Sequence, residues 1–400
     1  MPGLLDGVRV VDLTNVLAGP IATYQLALLG AEVIKIEKPG AGDLARRLGA
    51  DPALNEIGMG ASFLAQNAAK RSLTLDLKSE DGREAMRRLV ATADVVVENF
   101  RPGVMERLGL GYDTLREVRA DIIYCAISGF GGDGPLSANP AYDQIVQGLS
   151  GAMSVTGNSE TGPMRAGFPV SDTSGGLTAA FAISAALFQR ARTGEGRVLD
   201  VSMLDSTLVA MGWVVSNYLI AGQTPVAMGN DNFTASPSGA FRTGDGLLNI
   251  AANEQSQFVS LCRIVGREDL PRDPRFGARD ARKDNRAELT AELEAALAGN
   301  SASAWEAALT AAGVPAGRVL TVPEILDHAQ VAERGLITTF DKGGGQDRGV
   351  SVLGSGFRVS GERPRPTQPP PELGGDTDAI LDELGYSDDE ISALRTKGVV

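Results

Sequence analysis

The sequence predicts an α/β protein with a doubly wound parallel sheet, in which helices cover both faces. First, residues 8–13, 21–29 and 33–37 alternate as strand, helix and strand, and such a β-α-β unit makes its two strands parallel. Second, the alternation continues to residue 128. Third, the 400 residues are 43% hydrophobic and 22% charged, typical of globular proteins with more than one domain.

Local signals set the limits of each element. Pro20 stands where the first turn of a helix tolerates proline, and Gly30 ends that helix. Apolar runs that follow predict further strands, and longer periodic segments predict helices. The strands are expected at residues 72–77, 94–98, 122–128 and 197–201, and the helices at 80–92, 112–120, 142–151, 177–193 and 203–222.

Stretches rich in glycine and proline indicate where the chain changes domain. Residues 222–239 are such a stretch and predict a crossing to a smaller α/β domain. The large domain is therefore expected at 1–222 plus 330–400, and the small domain at 223–329. The small domain is predicted from segments at 246–251, 256–265, 286–298, 313–322 and 322–334. Residues 361–375 are expected to be irregular, and helices are expected at 377–384 and 387–395.

Charge and hydropathy exclude several classes of function. The net charge of −13 repels nucleic acid and anionic membranes. The longest apolar tract, residues 208–222, is interrupted by Ser216 and Asn217, too soon for a membrane span. The charged start does not resemble a signal peptide. We therefore expect a cytoplasmic protein without nucleic-acid or membrane partners.

The rare residues limit the chemistry further. The chain has one histidine, His328, and two cysteines, Cys125 and Cys262. Zinc sites usually need several such ligands in close spacing, so no metal site is expected. Two cysteines form no disulfide framework, which fits a reducing compartment. A Ser-His-Asp triad could use only His328.

Two sets of residues suggest nucleotide binding. Residues 12–20 follow the first strand, where ligands bind in such sheets, but they lack the GxGxxG glycines of dinucleotide sites. Glu37 stands where such sites place an acidic residue, and alone it gives little support to a nicotinamide oxidoreductase. Basic residues at strand ends are either surface charges or a phosphate-binding patch; they are Lys38, Lys70, Arg71, Lys78, Arg101 and Arg107.

A third candidate lies at residues 167–176, where a strand-like run meets an apolar helix. Asp172, Thr173 or Ser174 could simply cap that helix. Alternatively, a carboxylate at this position could attack an electrophile, with exposed amides beside Gly175 and Gly176 stabilising an oxyanion. The spacing leaves both interpretations open.

The chain as a whole resembles the class III CoA-transferases, the family that includes formyl-CoA and carnitine enzymes and α-methylacyl-CoA racemases. The matching blocks are spread over nearly the whole length and are specific as a set. They are LDGVRVVDLT from residue 5, LGAEVIKIEKPGAGD from 29, NAAKRSLTLDLK from 67, DVVVENFRPG from 94, SGFGGDGP from 128, residues 194–205, GVPAG from 313 and residues 384–400.

The resemblance implies a covalent mechanism. Asp172 matches an aspartate that attacks an acyl-CoA thioester, giving an acyl–aspartyl anhydride and then an aspartyl-CoA thioester. Such an attack needs the ionised carboxylate, so a lowered pKa of Asp172 is expected. Closure of the site should exclude water from the anhydride.

The resemblance also implies CoA-binding positions. CoA and acyl-CoA would be substrates, and no permanently bound cofactor is expected. Asp143, Gly175 and Gly176 are candidate supporting residues. The expected CoA contacts are Ala18, Lys38, Leu75, Asp76, Leu77, Lys78, Asn99, Phe100, Arg107 and Tyr142.

One position favours transferase over racemase. The racemase branch has a histidine just before its aspartate, whereas this chain has residues 141–143, Ala-Tyr-Asp, there. The glycine-run loop of the formyl-CoA/oxalate enzymes is absent from residues 228–239, so a dicarboxylic acid such as succinate, malate or mesaconate is expected as acceptor. The alternatives are an isomerase of the same fold and a non-catalytic CoA-binding protein. The family forms interlocked homodimers, which long connections at 222–239 and 336–375 would allow.

Overall fold

A computed structural model describes residues 3–343 and 348–400. The first part of the chain alternates between short strands and helices. In chain order these are β1 (Arg9–Asp12), α1 (Ala18–Leu28), β2 (Glu32–Glu37), α2 (Pro52–Glu56), α3 (Ala61–Asn67), β3 (Lys70–Thr74), α4 (Glu80–Thr92), β4 (Val95–Glu98), α5 (Val104–Arg107), α6 (Tyr112–Val118), β5 (Ile123–Ser128), α7 (Asp143–Leu149), α8 (Val170–Thr193), β6 (Val198–Ser202), α9 (Met203–Ala210) and α10 (Trp213–Ala221).

The remaining elements follow residue 225. They are β7 (Ser238–Arg242), β8 (Leu247–Ala251), α11 (Gln255–Ile264), α12 (Arg279–Asp284), α13 (Arg286–Leu297), α14 (Ala302–Ala311), β9 (Ala316–Arg318), α15 (Val322–Leu326), α16 (Ala329–Glu333), β10 (Ile337–Phe340), β11 (Val350–Leu353), α17 (Thr377–Glu383) and α18 (Asp388–Thr396).

The described residues form two compact units. The larger takes those within Met1–Ala152, Arg165–Pro225 and Ala329–Val400, and the smaller takes Met153–Met164 and Val226–His328. The sequence analysis did not foresee the short excursion at 153–164. In the smaller unit β7, β8 and β9 form an antiparallel sheet, and its apolar core includes Phe258, Phe276 and Leu293.

The larger unit is built on a six-stranded sheet of order β3-β2-β1-β4-β5-β6. Every pair of neighbouring strands is parallel, so the predicted mixed α/β fold with a parallel sheet is confirmed. The strand order reverses between β1 and β4. In sheets of this kind, ligands bind at the carboxyl ends of the strands beside that reversal.

Apolar layers cover both faces of this sheet. On one face, Ile380 and Leu394 of the C-terminal helices α17 and α18 pack in the same cluster as Val11 of β1 and Leu89 of α4. On the other face, α1 and α8 contribute Leu26 and Ile183 to a second cluster. Both ends of the chain therefore complete the sheet that carries the strand-end loops.

Three predicted segments differ from the structure. Helix α8 begins at Val170, not at residue 177, so the Ser-Asp-Thr-Ser-Gly-Gly run is helical. The helix predicted over 203–222 is broken into α9 and α10, because Gly212 has a φ of +46° that a helix cannot continue through. Within the connection at 336–375, β10 and β11 form an antiparallel pair; residues 344–347 of it lie outside the described residues.

Among the described residues, no single helix is both long and apolar enough to cross a membrane. Helices α9 and α10 reach that length and apolarity only together, and their axes are bent by 80°.

Candidate active site

A cavity of about 260 Å³ lies at the carboxyl ends of the central strands. The segments that follow β1 and β4 line it at residues 15–18 and 99–102, and the end of β5 lines it at residues 127–129. The remaining lining residues come from the loop before α7, from α7's N-terminus and from two other helices; they are Ser137, Asn139, Pro140, Ala141, Tyr142, Asp172 and Met203. The cavity therefore occupies the place where the strand order reverses.

Asp172 is the carboxylate of this cavity. It is the third residue of α8 and is half-buried. Among the described residues no group donates a hydrogen bond to its carboxylate, so both oxygens are open to a ligand. The helix-cap interpretation therefore does not describe Asp172, because α8 begins two residues before it and is capped from another helix.

That cap is Asp143, the first residue of α7. Its Oδ1 accepts hydrogen bonds from the backbone amides of Ser171 at 2.9 Å and Asp172 at 3.3 Å. Its Oδ2 accepts one from Gln147 Nε2 at 2.6 Å, and Gln147 Oε1 in turn accepts the amide of Ala166 at 2.9 Å. Asp143 thus satisfies amides at the start of α8 and fixes the backbone of Asp172.

Burial, together with the nearby charge of Asp143, raises the pKa of Asp172 to about 7. The lowered pKa expected from the sequence is therefore wrong in direction. A lowered pKa would need donors on the carboxylate or a neighbouring cation. Here the amides at the helix start point to Asp143 instead.

Gly175 and Gly176 lie in the second turn of α8, where backbone amides bond within the helix. The oxyanion role suggested for their amides does not fit this position. Instead they allow close packing. A Cβ on Gly176 would lie 2.5 Å from the carbonyl oxygen of Ala18, and one on Gly175 would lie 3.0 Å from Met203 Cγ. Gly176 thus lets α8 pack directly on the start of α1, which places Asp172 beside the loop after β1.

That loop is joined to the loop after β4 by a pair of asparagines. The Asn15 amide donates to Asn99 Oδ1 at 2.8 Å, and Asn99 Nδ2 donates back to the Asn15 carbonyl at 2.8 Å. The two loops on either side of the strand reversal are thereby held together at the floor of the cavity. The sequence analysis singled out Asn99 and the loop at 12–20 that contains Asn15, but not the contact between the two asparagines, since nothing local indicates a partner 84 positions away.

Buried ion pairs lie beneath the loop after β1. Lys70 Nζ is 3.0 Å from Asp12 Oδ2 and Lys35 Nζ is 3.0 Å from Asp43 Oδ2, and all four side chains are fully buried. Burial alone would raise the pKa of Asp12, but Lys70 and Lys35 with two hydroxyl donors outweigh it and hold that pKa far below its usual range. Burial lowers the pKa of Lys70 to about 8.

Glu37, the acid considered for a nicotinamide site, and two of the basic candidates belong to such internal pairs. Glu37 forms a bidentate pair with Arg46 at 2.7 Å and is not free to bind a ribose. Lys70 is buried on Asp12, and Arg71 pairs with Glu32 and Glu383 at 2.8 Å. These three side chains are paired within the fold, so they support neither the nicotinamide site nor the phosphate-binding patch that the sequence left open.

The other four cations remain available. Lys38, Lys78, Arg101 and Arg107 are exposed, and none of them forms an ion pair with another described residue. Lys38 follows β2, Lys78 follows β3, Arg101 follows β4 and Arg107 ends α5, so all four lie in segments that come after the carboxyl ends of strands of the sheet. On a chain of net charge −13, unpaired cations along one edge favour an anionic ligand there.

The site residues expected from the resemblance fall into three groups: those that line the cavity, one in the core of the sheet, and those outside the cavity. Five of the residues to which the resemblance assigned a role line the cavity, and the basic candidate Arg101 lines it too; the five are Ala18, Asn99, Phe100, Tyr142 and Asp172. Leu75 is 2% exposed and lies in the core of the sheet, so its side chain packs internally. Outside the cavity lie Lys38, Asp76, Leu77, Lys78 and Arg107, beyond the ends of β2, β3 and β4.

His328 lies between α15 and α16 and does not line the cavity. Cys125 and Cys262 are buried and unpaired, and burial raises the pKa of each thiol. Within residues 3–343 and 348–400, no group of three or more histidine, cysteine or acidic residues is arranged to hold a metal ion. Of the groups that the sequence analysis considered for covalent chemistry, only Asp172 lies in this cavity.

The chain is similar to known proteins over nearly its whole length. The model of CoA-transferase family III matches residues 5–377. Succinyl-CoA:glutarate CoA-transferase of Mus musculus is 37% identical over 402 residues, 99% of this chain and 90% of the relative. Succinyl-CoA:mesaconate CoA-transferase of Haloarcula hispanica is 37% identical over 392 residues, 96% of this chain and 97% of the relative.

The fold has a matching crystal structure. A CAIB/BAIF family protein from Brucella suis superposes with a TM-score of 0.84 and 36% identity, covering 96% of this chain and 100% of that one. The sequence blocks, the parallel sheet and these matches all point to one family, and the matches cover nearly the whole chain. The chain belongs to CoA-transferase family III.

Proposed function

We propose that this protein transfers CoA from an acyl-CoA donor to a dicarboxylic acid through covalent intermediates on Asp172. The carrying observation is the half-buried Asp172 carboxylate, free of hydrogen bonds from the described residues, in a cavity at the strand reversal. Two relatives whose names specify succinyl-CoA with glutarate or mesaconate support the substrate class. The cavity also includes Arg101, an unpaired cation suited to an anionic substrate.

The reaction can be written on Asp172 alone. An Oδ of Asp172 attacks the donor's thioester carbonyl, the C–S bond breaks, and CoA leaves as a thiolate. That thiolate attacks the aspartyl carbonyl of the resulting anhydride and releases the donor acid, leaving aspartyl-CoA. The acceptor carboxylate then displaces CoA to form a second anhydride, and the thiolate attacks its acceptor carbonyl. This step releases the new acyl-CoA and the free carboxylate, so the thioester's energy is conserved.

The site contributes position more than charge. Asp143 fixes the backbone amide of Asp172, and Gly176 brings α8 onto the start of α1, so the nucleophile is held beside residues 15–18. The exposed cations Lys38, Lys78 and Arg107 would bind the phosphates of CoA along the sheet edge. Asn99, Phe100 and Tyr142 would contact the pantetheine arm inside the cavity.

A substrate panel tests this function. Succinyl-CoA is incubated with glutarate, mesaconate, malate or oxalate and, as the matched monocarboxylates, with butyrate, acetate or formate, and the acyl-CoA products are identified by mass spectrometry. We expect a new dicarboxylyl-CoA with at least one diacid and much less product with the monoacids. Exchange of an α-hydrogen for deuterium without any acceptor would instead indicate the isomerase. CoA binding without transfer would indicate the binding protein.

The pH dependence of the first step gives a second prediction. Since Asp172 must be ionised to attack and its pKa is about 7, kcat/KM for the donor should rise with pH, with a midpoint near pH 7, and level off at higher pH. Asp143→Asn removes the nearby negative charge, so its midpoint should lie at lower pH, although burial still raises the pKa. Asp133→Asn, in the exposed loop after β5, is the control. An unchanged midpoint in Asp143→Asn would contradict the coupling.

The large apolar surface on α8–α10 supports a homodimer. Phe181, Val209, Trp213, Leu219 and Ile220 are each at least 75% exposed, and single chains rarely leave so many large apolar side chains in water. We propose that a second copy of the chain covers them, which sedimentation velocity can measure directly. A monomer at micromolar concentration would contradict this proposal.

A further inference from the structure

The loop that enters the cavity after β1 contains an unfavourable backbone conformation. Val16 has a φ of +69°, in the left-handed region that β-branched residues rarely adopt. Val16, Leu17 and Ala18 all line the cavity. A residue keeps such a conformation only where surrounding contacts impose it, and these positions cluster at functional sites.

The contact that imposes it comes from Asp43, outside the cavity. The Val16 amide donates to Asp43 Oδ1 at 2.9 Å, and the same oxygen accepts the Ala45 amide at 2.9 Å, which fixes the carboxylate in place. Asp43 is 1% exposed. Its position in the chain, 27 residues after Val16, gave the sequence analysis no reason to connect the two.

Lys35 completes the arrangement. Its ammonium lies 3.0 Å from Asp43 Oδ2 and donates to the carbonyl of Thr14 at 2.6 Å. The Lys35–Asp43 pair therefore contacts the loop on both sides of Asn15, at the Thr14 carbonyl and at the Val16 amide. Asn15 itself is held by Asn99.

Hydrogen bonds thus hold the backbone up to the amide of Val16, whereas the backbone amides of the next two residues are not bonded in this way to any residue that the structure describes. Among the described residues, no acceptor bonds the amides of Leu17 and Ala18, where α1 begins. The Ala18 carbonyl lies against Gly176 of α8, four residues after Asp172. Any rotation of the Val16 backbone would therefore change the position of residues 17 and 18 relative to Asp172.

We propose that Asp43, paired with Lys35, is a positioning residue: its carboxylate holds Val16 in the left-handed conformation and so fixes residues 16–18 beside Asp172. The proposal rests on the transfer function proposed above. It assigns a role in acylation to a buried ion pair that does not line the cavity. Loss of the contact should slow acylation far more than it weakens CoA binding, because Ala18 is the one expected CoA contact in this loop and the others lie on other segments.

The test measures a single turnover of the full-length enzyme with succinyl-CoA, following acylated protein by mass spectrometry, together with CoA binding by calorimetry. In Asp43→Ala the acylation rate should fall about 10²-fold, the effect of a misplacement of about 1 Å, with the Kd for CoA within about threefold. Asp51→Ala is the control, since Asp51 also accepts backbone amides, at the start of α2, but does not touch this loop.

A rescue separates positioning from general stability. Glycine adopts positive φ without strain, so Val16→Gly added to Asp43→Ala should recover about tenfold of the lost rate. Because glycine also relieves the strain at this position in the folded state, the thermal unfolding temperature is measured in the same variants, and a rate that recovers without a matching recovery of that temperature indicates positioning. Since Asp43→Ala leaves Lys35 buried without its partner, the same comparison is made in Lys35→Met/Asp43→Ala, which removes both charges.

The outcomes are distinct. If wild-type enzyme is acylated and the folded Asp43 variants are acylated equally fast, the positioning role is wrong while the transfer function stands. If the variants are slow and Val16→Gly recovers nothing, the role assigned to the Val16 conformation is wrong. If wild-type enzyme forms no adduct, the transfer function fails and the inference fails with it.

Discussion

Replacing Asp172 with asparagine should lower the rate of CoA transfer by at least about 10³-fold, because removal of a covalent nucleophile costs that much or more. The amide of asparagine has nearly the volume of the carboxylate but cannot form an anhydride with the acyl group. Since α8 begins at Val170 and Asp143 accepts backbone amides there, the side chain of residue 172 is not needed to cap the helix. The fold should therefore be retained.

Two measurements separate chemistry from folding. Wild-type enzyme quenched after mixing with succinyl-CoA should carry added mass on the peptide that contains residue 172, removable by hydroxylamine, and Asp172→Asn should not. Asp172→Ala is measured in parallel because an asparagine can deamidate back to aspartate. Asp205→Asn, an exposed carboxylate in the first turn of α9, is the control. Transfer at the wild-type rate in both Asp172 variants would remove the nucleophile assignment.

Asp172→Asn should also change how the stability of the folded protein depends on pH. The pKa of Asp172 is about 7 in the folded protein and 3.8 in the reference state. The folded state therefore binds the proton more tightly, and its stability falls as pH rises from about 4 to about 7. Asp172→Asn removes this cost, so the variant should be at least as stable as wild type above pH 7 and gain nothing below pH 4. Such a gain is common where function keeps an unfavourable group in place.

The sheet was predictable because each of its signals is local. Apolar runs, Pro20, Gly30 and the β-α-β alternation placed β1, β2 and α4 within about two residues of their observed limits. Parallel strands bring their carboxyl ends to one edge, so residues 15–18 and 99–102 could be expected near one another. The position of Asp172 beside that edge followed from the family resemblance, since its own segment left a helix cap as an alternative.

The errors came from contacts distant in sequence. Nothing in the local pattern shows that Asp143 caps α8, so the segment before residue 177 was expected to be a strand-like run followed by a cap at Asp172, Thr173 or Ser174. Lys70 and Arg71 looked like ligand-binding cations because their partners, such as Asp12 and Glu383, lie 58 and 312 positions away. The pKa of Asp172 was expected to be lowered because the burial around it was not visible in the sequence.

Gly176→Ala should give the second large loss of acylation rate, although this substitution removes no polar group. The new Cβ would lie 2.5 Å from the carbonyl oxygen of Ala18 and 2.9 Å from Ile21 Cβ. A backbone oxygen cannot rotate away as a side chain can, so α1 and α8 must separate. Overpacking of this kind costs about 1–3 kcal/mol, which exceeds the gain of about 1 kcal/mol that alanine brings to a helix interior.

The displacement acts directly on the site, because Ala18 and Asp172 line the same cavity from the two helices that Gly176 joins. We expect the acylation rate in Gly176→Ala to fall by about 10²-fold and its thermal unfolding temperature to drop. Gly175→Ala should be milder, since its Cβ would meet the flexible Met203 side chain at 3.0 Å. Gly167→Ala, with no atom within 4 Å of the new Cβ, should match wild type. If Gly176→Ala melts and acylates like Gly167→Ala, the close contact of α8 with α1 does not place the nucleophile.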